Sequence, residues 1–324
     1  MKDCGIFILH KEDGMTSHTA VKRLQRLLGA SKAGHTGTLD PAATGVLPVL
    51  LGRGVKAAEF IFESDKHYRA VLRLGATSDT EDSTGCVTET GTPIPSEGEV
   101  LSAIAKMQGK QMQIPPMYSA VRVGGTRLME LARKGIEVER QPREIEIFEI
   151  PGKMLSSTLY EIDVHCSKGT FIRTVCADIG KALGCGALMD KLIRTEAAGF
   201  KINEAHKLSD LEEMSEKERQ ALILPLTDTL FKDLPHFSYP PFYEALAKNG
   251  AAILTKKLPS CNFALGQKVL LYDAEGFFAL GEIKESEEGQ VLFPIKKLLG
   301  MRYKITEHFT IHRQLDLAVL NQYF

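Results

Sequence analysis

Asp40 is the side chain whose neighbours best equip it for chemistry. It lies in GHTGTLDPAATGVLPVLLG, residues 34–52, a loop set between two apolar segments. Gly34 and Gly37 can take positive φ, so His35, Thr36 and Thr38 can sit on a sharply folded turn. Pro41 pushes the preceding residue out of the α region and into extended geometry. A carboxylate held in this way suits a nucleophile. Asp before Pro is also a good helix start, with Asp as N-cap and Pro at the first helical position, and residue types alone leave both readings open. A simple cap, however, needs neither paired glycines nor a His and two Thr crowded against the carboxylate.

Other chemistries find little support. The six cysteines, Cys4, Cys86, Cys166, Cys176, Cys185 and Cys261, contain no C-x-x-C pair, which argues against a zinc site or a redox dithiol. There is no Walker A string, dinucleotide fingerprint or H-E-x-x-H, so neither a cofactor nor a metal is expected. The acidic stretch Asp79, Glu81, Asp82, Gly85 lacks the ligand spacing and closing Glu of a calcium loop and reads as a solvated turn. Hydrophobic content of 44% with 25% charged residues is that of an ordinary globular protein. Apolar runs such as VLPVLL are too short to span a bilayer, and the opening MKDCGIFILHKEDG too weakly apolar for a secretory signal, so a cytoplasmic protein is expected. Net charge is −1, yet residues 1–58 carry eight Lys or Arg against four acids, a local basic excess around the loop that suits contact with a structured RNA.

The elements that must position Asp40 are legible in outline. SHTAVKRLQRLLG, with Ser17 as N-cap and Val21, Leu24, Leu27 and Leu28 at helical spacing, predicts a helix ended by Gly29. Tyr68, Ala70, Leu72 and Leu74 alternate with Arg69, Val71 and Arg73 as a half-buried strand. Ser96 and Glu99 form a capping box before another helix. Residues 114–150 are set apart by Pro115, Pro116, the Gly124-Gly125 turn and many basic residues, Arg122 and Arg127 among them. A strand through Tyr160, Ile162, Val164 and Cys166 then leads into a helix with the stripe Ile172, Val175, Cys176, Ile179 and Leu183. Arg173 lies off that stripe at the helix's N-terminal end, which already carries partial positive charge, so it needs an anion partner. Pro225, Pro235, Pro240 and Pro241 mark a domain boundary, and GQKVLLYDAEGFFALGEIK beyond it reads as two strands joined at Asp273 to Gly276.

The string GHTGTLDP resembles the catalytic loop of the bacterial TruB-type tRNA pseudouridine 55 synthases, and the resemblance extends from residue 9 to about residue 200. It implies an α+β fold: a mixed β-sheet catalytic domain with flanking helices over 1–234, a thumb-like RNA-binding insertion over 114–150, and a small PUA-like C-terminal β-barrel with tail over 235–324. It implies isomerisation of a flipped-out uridine to pseudouridine at position 55 in the tRNA T-loop, without cofactor or metal, by a cytoplasmic monomer whose partner is the T-arm. Asp40 becomes the nucleophile, and Arg173, in CSKGTFIRT, its partner. Tyr68 of the K-x-Y element and Leu192 of LIRTEAAGF enclose the base. His35 fills the space that the base vacates, Lys11 contacts a phosphate or the edge of the site, and Gly37, Thr38, Arg122 and Arg127 contact RNA. Two positions depart from the pattern, Glu12 where Pro is usual and Ile193 where a second Arg is common. An aspartyl-phosphate phosphotransferase is disfavoured because Asp40 follows the glycine-threonine pair instead of preceding it. A guide-dependent synthase is disfavoured because the insertion suits stand-alone recognition of a tRNA loop. A plain RNA-binding module would make substitution of Asp40 silent.

Overall fold

Apolar alternation and short glycine turns build one large mixed sheet in the computed structural model, which describes residues 4–62 and 64–297. Its main path runs His206–Lys207, Cys4–Lys11, Thr44–Gly52, Ala187–Ala197, Lys66–Leu74, Leu159–Cys166, Arg143–Glu149 and Gly109–Gln113. Most neighbours are antiparallel, but His206–Lys207 runs parallel to Cys4–Lys11, and Thr44–Gly52 parallel to Ala187–Ala197, with Gly45 opposite Arg194. At that point a Cβ on Gly45 (φ +103°) would stand 2.2 Å from the Arg194 carbonyl oxygen, so only glycine lets the two strands approach. Every second residue of Lys66–Leu74 is buried, including Tyr68, Ala70, Leu72 and Leu74, as the alternation predicts. The helix Ile172–Leu183 lays Ile172, Val175, Cys176 and Ile179 into the same core, and Gly184 closes it in the left-handed conformation. No helix among the described residues is long and apolar enough to cross a membrane.

Several local expectations change. Thr16, not Ser17, caps the helix Ser17–Leu27 by accepting from the Thr19 amide. Gly34 sits in the short strand Ala33–His35 without positive φ, whereas Gly37 does adopt +75°. No helix follows Pro41: the chain makes a turn, with the Ala43 amide donating to the Asp40 carbonyl at 3.1 Å, and enters a strand at Thr44. Residues 143–149, expected to belong to the insertion, are a strand of the main sheet because Ile145 and Ile147 alternate into its core. What projects is residues 114–142, with a two-residue hairpin at Arg122–Val123 and Thr126–Arg127 and the short helix Leu128–Ala132.

Contacts divide the chain after Leu234. The second unit carries a five-stranded sheet ordered His236–Ser238, Lys268–Asp273, Gly276–Ser286, Gly289–Lys297 and Ile253–Leu254. Its hairpin pairs Asp273 with Gly276, as the turn residues predict. The helix Pro241–Lys248 and the sheet share an aromatic core around Phe237, Tyr239 and Phe278. The last part of the expected 235–324 domain, from residue 298, lies outside the described residues.

Candidate active site

Asp40 is held by the backbone on both of its sides. The buried Ser17 hydroxyl donates to the Leu39 carbonyl at 2.9 Å and accepts from the Leu39 amide at 2.8 Å, so one side chain fixes both polar groups of the preceding residue. On the other side, the Lys11 ammonium donates to the carbonyls of Glu12, Pro41 and Ala43 at 3.0, 2.9 and 2.6 Å. Lys11 is fully buried. Burial pushes its pKa down to about 8, which leaves it cationic at neutral pH with three donors for three carbonyls. It therefore serves the site from beneath, as an anchor of the turn, and its ammonium is not turned to solvent.

The loop before Asp40 hangs on Arg194. Its Nε donates to the Val46 carbonyl at 2.6 Å and its Nη1 to the Gly37 carbonyl at 3.0 Å. Arg194 is 1% exposed, a fully buried cation whose neighbours include the Tyr68 phenol. A Cβ on Gly37 would come within 3.3 Å of Arg194 Nη1, so the glycine serves both its φ and the closeness of the guanidinium. The arginine of this element thus stands at 194, next to the exposed Ile193. Sequence reading missed it because nothing in a strand pattern marks a cation that carbonyl oxygens will bury.

Arg173 is the knot of the site. Its side chain is 6% exposed, and its Nε stands 3.1 Å from Asp40 Oδ2. Its Nη1 donates to the Thr80 carbonyl at 3.1 Å and lies 3.5 Å from Asp82 Oδ2, while its Nη2 donates to the Tyr118 carbonyl at 2.9 Å. The positive end of a helix is answered by two carboxylates. Asp82 corrects the expectation of a solvated turn. It is 6% exposed, and its Oδ1 accepts from the Thr80 and Thr84 hydroxyls and the Thr84 amide. Burial raises the pKa of Asp40; Arg173 opposes the rise, Asp82 adds to it and Lys11 opposes it. The guanidinium therefore offsets only part of the cost of enclosing the carboxylate, which makes its ionised oxygen more basic than an ordinary aspartate's.

A cleft of about 230 Å³ opens in front of Asp40. Asp40, Asp82, Arg173 and Leu192 line it from the sheet side, and Tyr118, Met129 and Arg133 from residues 114–142. Tyr68 is not among the lining residues: it is 8% exposed, close enough for the charges of Arg194 and Asp40 to act on its phenol, whose pKa burial raises. His35 also lies outside the lining and is half-buried, with Nδ1 enclosed and without a hydrogen-bond partner. Burial, then Arg194 and His18, lower its pKa, which keeps the imidazole neutral at neutral pH. Thr38 is exposed. Arg122 and Arg127 sit on the exposed hairpin, Arg122 donating to the Gly125 carbonyl and Arg127 standing 4.0 Å from Glu130.

The family model for the TruB family pseudouridylate synthase N-terminal domain matches residues 25–172, and that for the tRNA pseudouridylate synthase B C-terminal domain matches residues 173–231. A protein named tRNA pseudouridine synthase B from Syntrophotalea carbinolica is 40% identical over 280 residues, 85% of this chain and 90% of that one. The chain belongs to the TruB family of pseudouridine synthases. A second TruB-family relative of the same name, from Clostridium tetani, is 39% identical over 91% of this chain and 99% of its own. The structure described as a Cbf5-Nop10-Gar1 complex has the same fold at 24% identity, with a TM-score of 0.65 over 91% of this chain and 85% of that chain. As a TruB-family enzyme the chain is a tRNA pseudouridine synthase, an isomerase.

Proposed function

We propose that the enzyme converts the uridine at position 55, in the T-loop of tRNA, to pseudouridine, with Asp40 as nucleophile on a flipped-out base. The reaction breaks the bond from C1′ to N1 and makes one from C1′ to C5, while a proton leaves C5 and N1 gains one, so nothing is oxidised and no group is donated. Attack on the base at C6 and attack on the sugar at C1′ make the same demand, an ionised oxygen at the reacting atoms. The observation that carries the reading is Asp40 Oδ2 at 3.1 Å from Arg173 Nε, at the front of a cleft and on a turn fixed by Ser17 and Lys11.

A loop uridine must leave its stack at a cost of a few kcal/mol, and stacking on an aromatic side chain returns about 1–3 kcal/mol per base. Leu192 offers an apolar surface in the cleft, and the buried Tyr68, outside the lining but close to Asp40, would supply an aromatic face once the entering base opens the site to it. A neutral His35 suits insertion into the space the base vacates, since it carries no charge into the stack. Gly37 and Thr38 border the entering strand, and Arg122 and Arg127 contact its phosphates. The enzyme acts in the cytoplasm as a monomer on the T-arm, with no cofactor. Incubation with an unmodified tRNA transcript and no additives, followed by pseudouridine mapping, is expected to give one modified site, position 55. Product at another position would overturn the target, and an absence of product the reading as a whole.

A further inference from the structure

The turn Thr80–Asp82 grips the helix Ile172–Leu183 at two adjacent residues, and its middle residue holds a conformation that L-residues avoid. Glu81 has φ +62°, one of three non-glycine residues with positive φ among the described residues. Strain of this kind persists only where surrounding contacts over-determine it. Here they do. The Glu81 amide donates to the Ser78 carbonyl at 3.2 Å, and its carbonyl accepts from the Met189 amide at 3.0 Å. Its carboxylate accepts from the Thr174 hydroxyl at 2.6 Å. Thr174 follows Arg173 directly and is 5% exposed. The residues on either side of Glu81 hold Arg173 itself, through the Thr80 carbonyl and Asp82 Oδ2. The left-handed corner thus lets three consecutive residues reach one helical turn, two of them on the guanidinium and one on the next side chain.

We propose that Glu81 is a positioning residue for pseudouridine formation, its carboxylate fixing Thr174 and with it the helical turn that brings Arg173 Nε to Asp40 Oδ2. This rests on the reading of Asp40 as the nucleophile. The charged groups facing Glu81 are Arg173 and Asp178 on the helix and Arg140 on the insertion. The bond from Thr174 needs an acceptor and not a charge, so an amide at position 81 can make it.

Glycine separates this role from mere support of the fold, because Glu81→Gly relieves the left-handed strain while deleting the acceptor. Single-turnover rates on unmodified tRNA would be measured across pH for the wild type, Glu81→Gly, Glu81→Gln and Thr174→Val, with Asp40→Asn as reference. Glu81→Gly and Thr174→Val are expected to slow the step about tenfold with KM changed less than about threefold, as for a group displaced at the reacting centre. The acid limb moves to higher pH, because Asp40 loses part of its counter-charge. Glu81→Gln rescues the rate to within about twofold, and the Tm of Glu81→Gly stays within a few degrees of wild type, because relief of the left-handed strain offsets the hydrogen bond lost by Thr174. A Glu81→Gly enzyme with wild-type rate and pH profile, beside an inactive Asp40→Asn, overturns the positioning role alone. Equal defects in Gln and Gly also overturn it, since charge would then be acting in place of the hydrogen bond. An active Asp40→Asn overturns the nucleophile reading, and this proposal with it.

Discussion

The two walls of the cleft are built by different rules. On the sheet side, Lys11, Ser17, Arg173, Asp82 and Arg194 are all buried polar or charged groups with partners a few ångströms away. On the insertion side, the hairpin arginines are exposed, and Ile114, Val123 and Ile136 remain open to solvent. The first wall has settled its electrostatics before any RNA arrives, which is what a reaction needing a fixed carboxylate requires. The second has few buried apolar contacts to hold one geometry, which suits a surface that adapts to a folded substrate. One residue joins them: Arg173 holds Asp40 with Nε and the Tyr118 carbonyl, at the root of the insertion, with Nη2.

If the division is right, damage to the first wall acts on the chemical step and damage to the second on binding. The largest effect is expected from Asp40→Asn. Single-turnover rates should fall by about 10³-fold or more, while the Kd for tRNA stays within a few-fold. Residual turnover within about tenfold of wild type would break the assignment. Arg194→Met comes next and, besides slowing the chemical step, reports on how the wall is supported. The carbonyls of Val46 and Gly37 would lose their buried donor, at about 2–4 kcal/mol of stability in total, and thermal unfolding should show Tm lowered by roughly 5–15 °C. A Met variant as stable as wild type would mean that those carbonyls find water, and that the wall is less dry than its burial says.

The pairing of Asp40 with Arg173 was legible in the sequence, but not the frame around it. Asp40 is legible because glycines, Pro41 and a long specific string converge on it, and Arg173 because a cation at a helix N-terminus demands an anion. By sequence alone Lys11 resembles an exposed lysine and Asp82 part of a solvated turn, since both owe their burial to groups distant in the chain. Ser17 suits a cap by residue type, yet its hydroxyl is engaged by Leu39 and Thr16 caps in its place. In residues 143–149 the abundance of charge masks Ile145 and Ile147, whose alternation is the true signal of a strand.

A smaller and more pointed test concerns Asp82. Burial, Arg173, Asp82 and Lys11 together leave Asp40 with a raised pKa, so the acid limb of kcat/KM should lie above that of an ordinary aspartate. The sign follows from the proposed role: with ionised Asp40 as the nucleophile, activity is lost as pH falls through the raised pKa. Asp82→Asn removes a like charge and should move that limb to lower pH. A shift to higher pH would show that Asp82 matters more as the partner that aims Arg173 than as a neighbouring negative charge.

The smallest effect is expected on the adaptable wall. Arg122→Ala combined with Arg127→Ala removes two exposed cations whose present partners are the Gly125 carbonyl and Glu130. If they meet phosphates, KM for tRNA should rise several-fold at moderate salt while the single-turnover rate at saturation stays constant. The slope of log Kd against log salt should also lessen, by about 0.7–0.9 for each phosphate that is no longer neutralised. That slope is the informative quantity. A change in KM with an unaltered slope would mean that the hairpin positions the insertion by shape instead of gripping the RNA backbone. A loss of maximal rate would mean that this wall reaches the Asp40 carboxylate, with Arg173 and the Tyr118 carbonyl as the connection through which it does so.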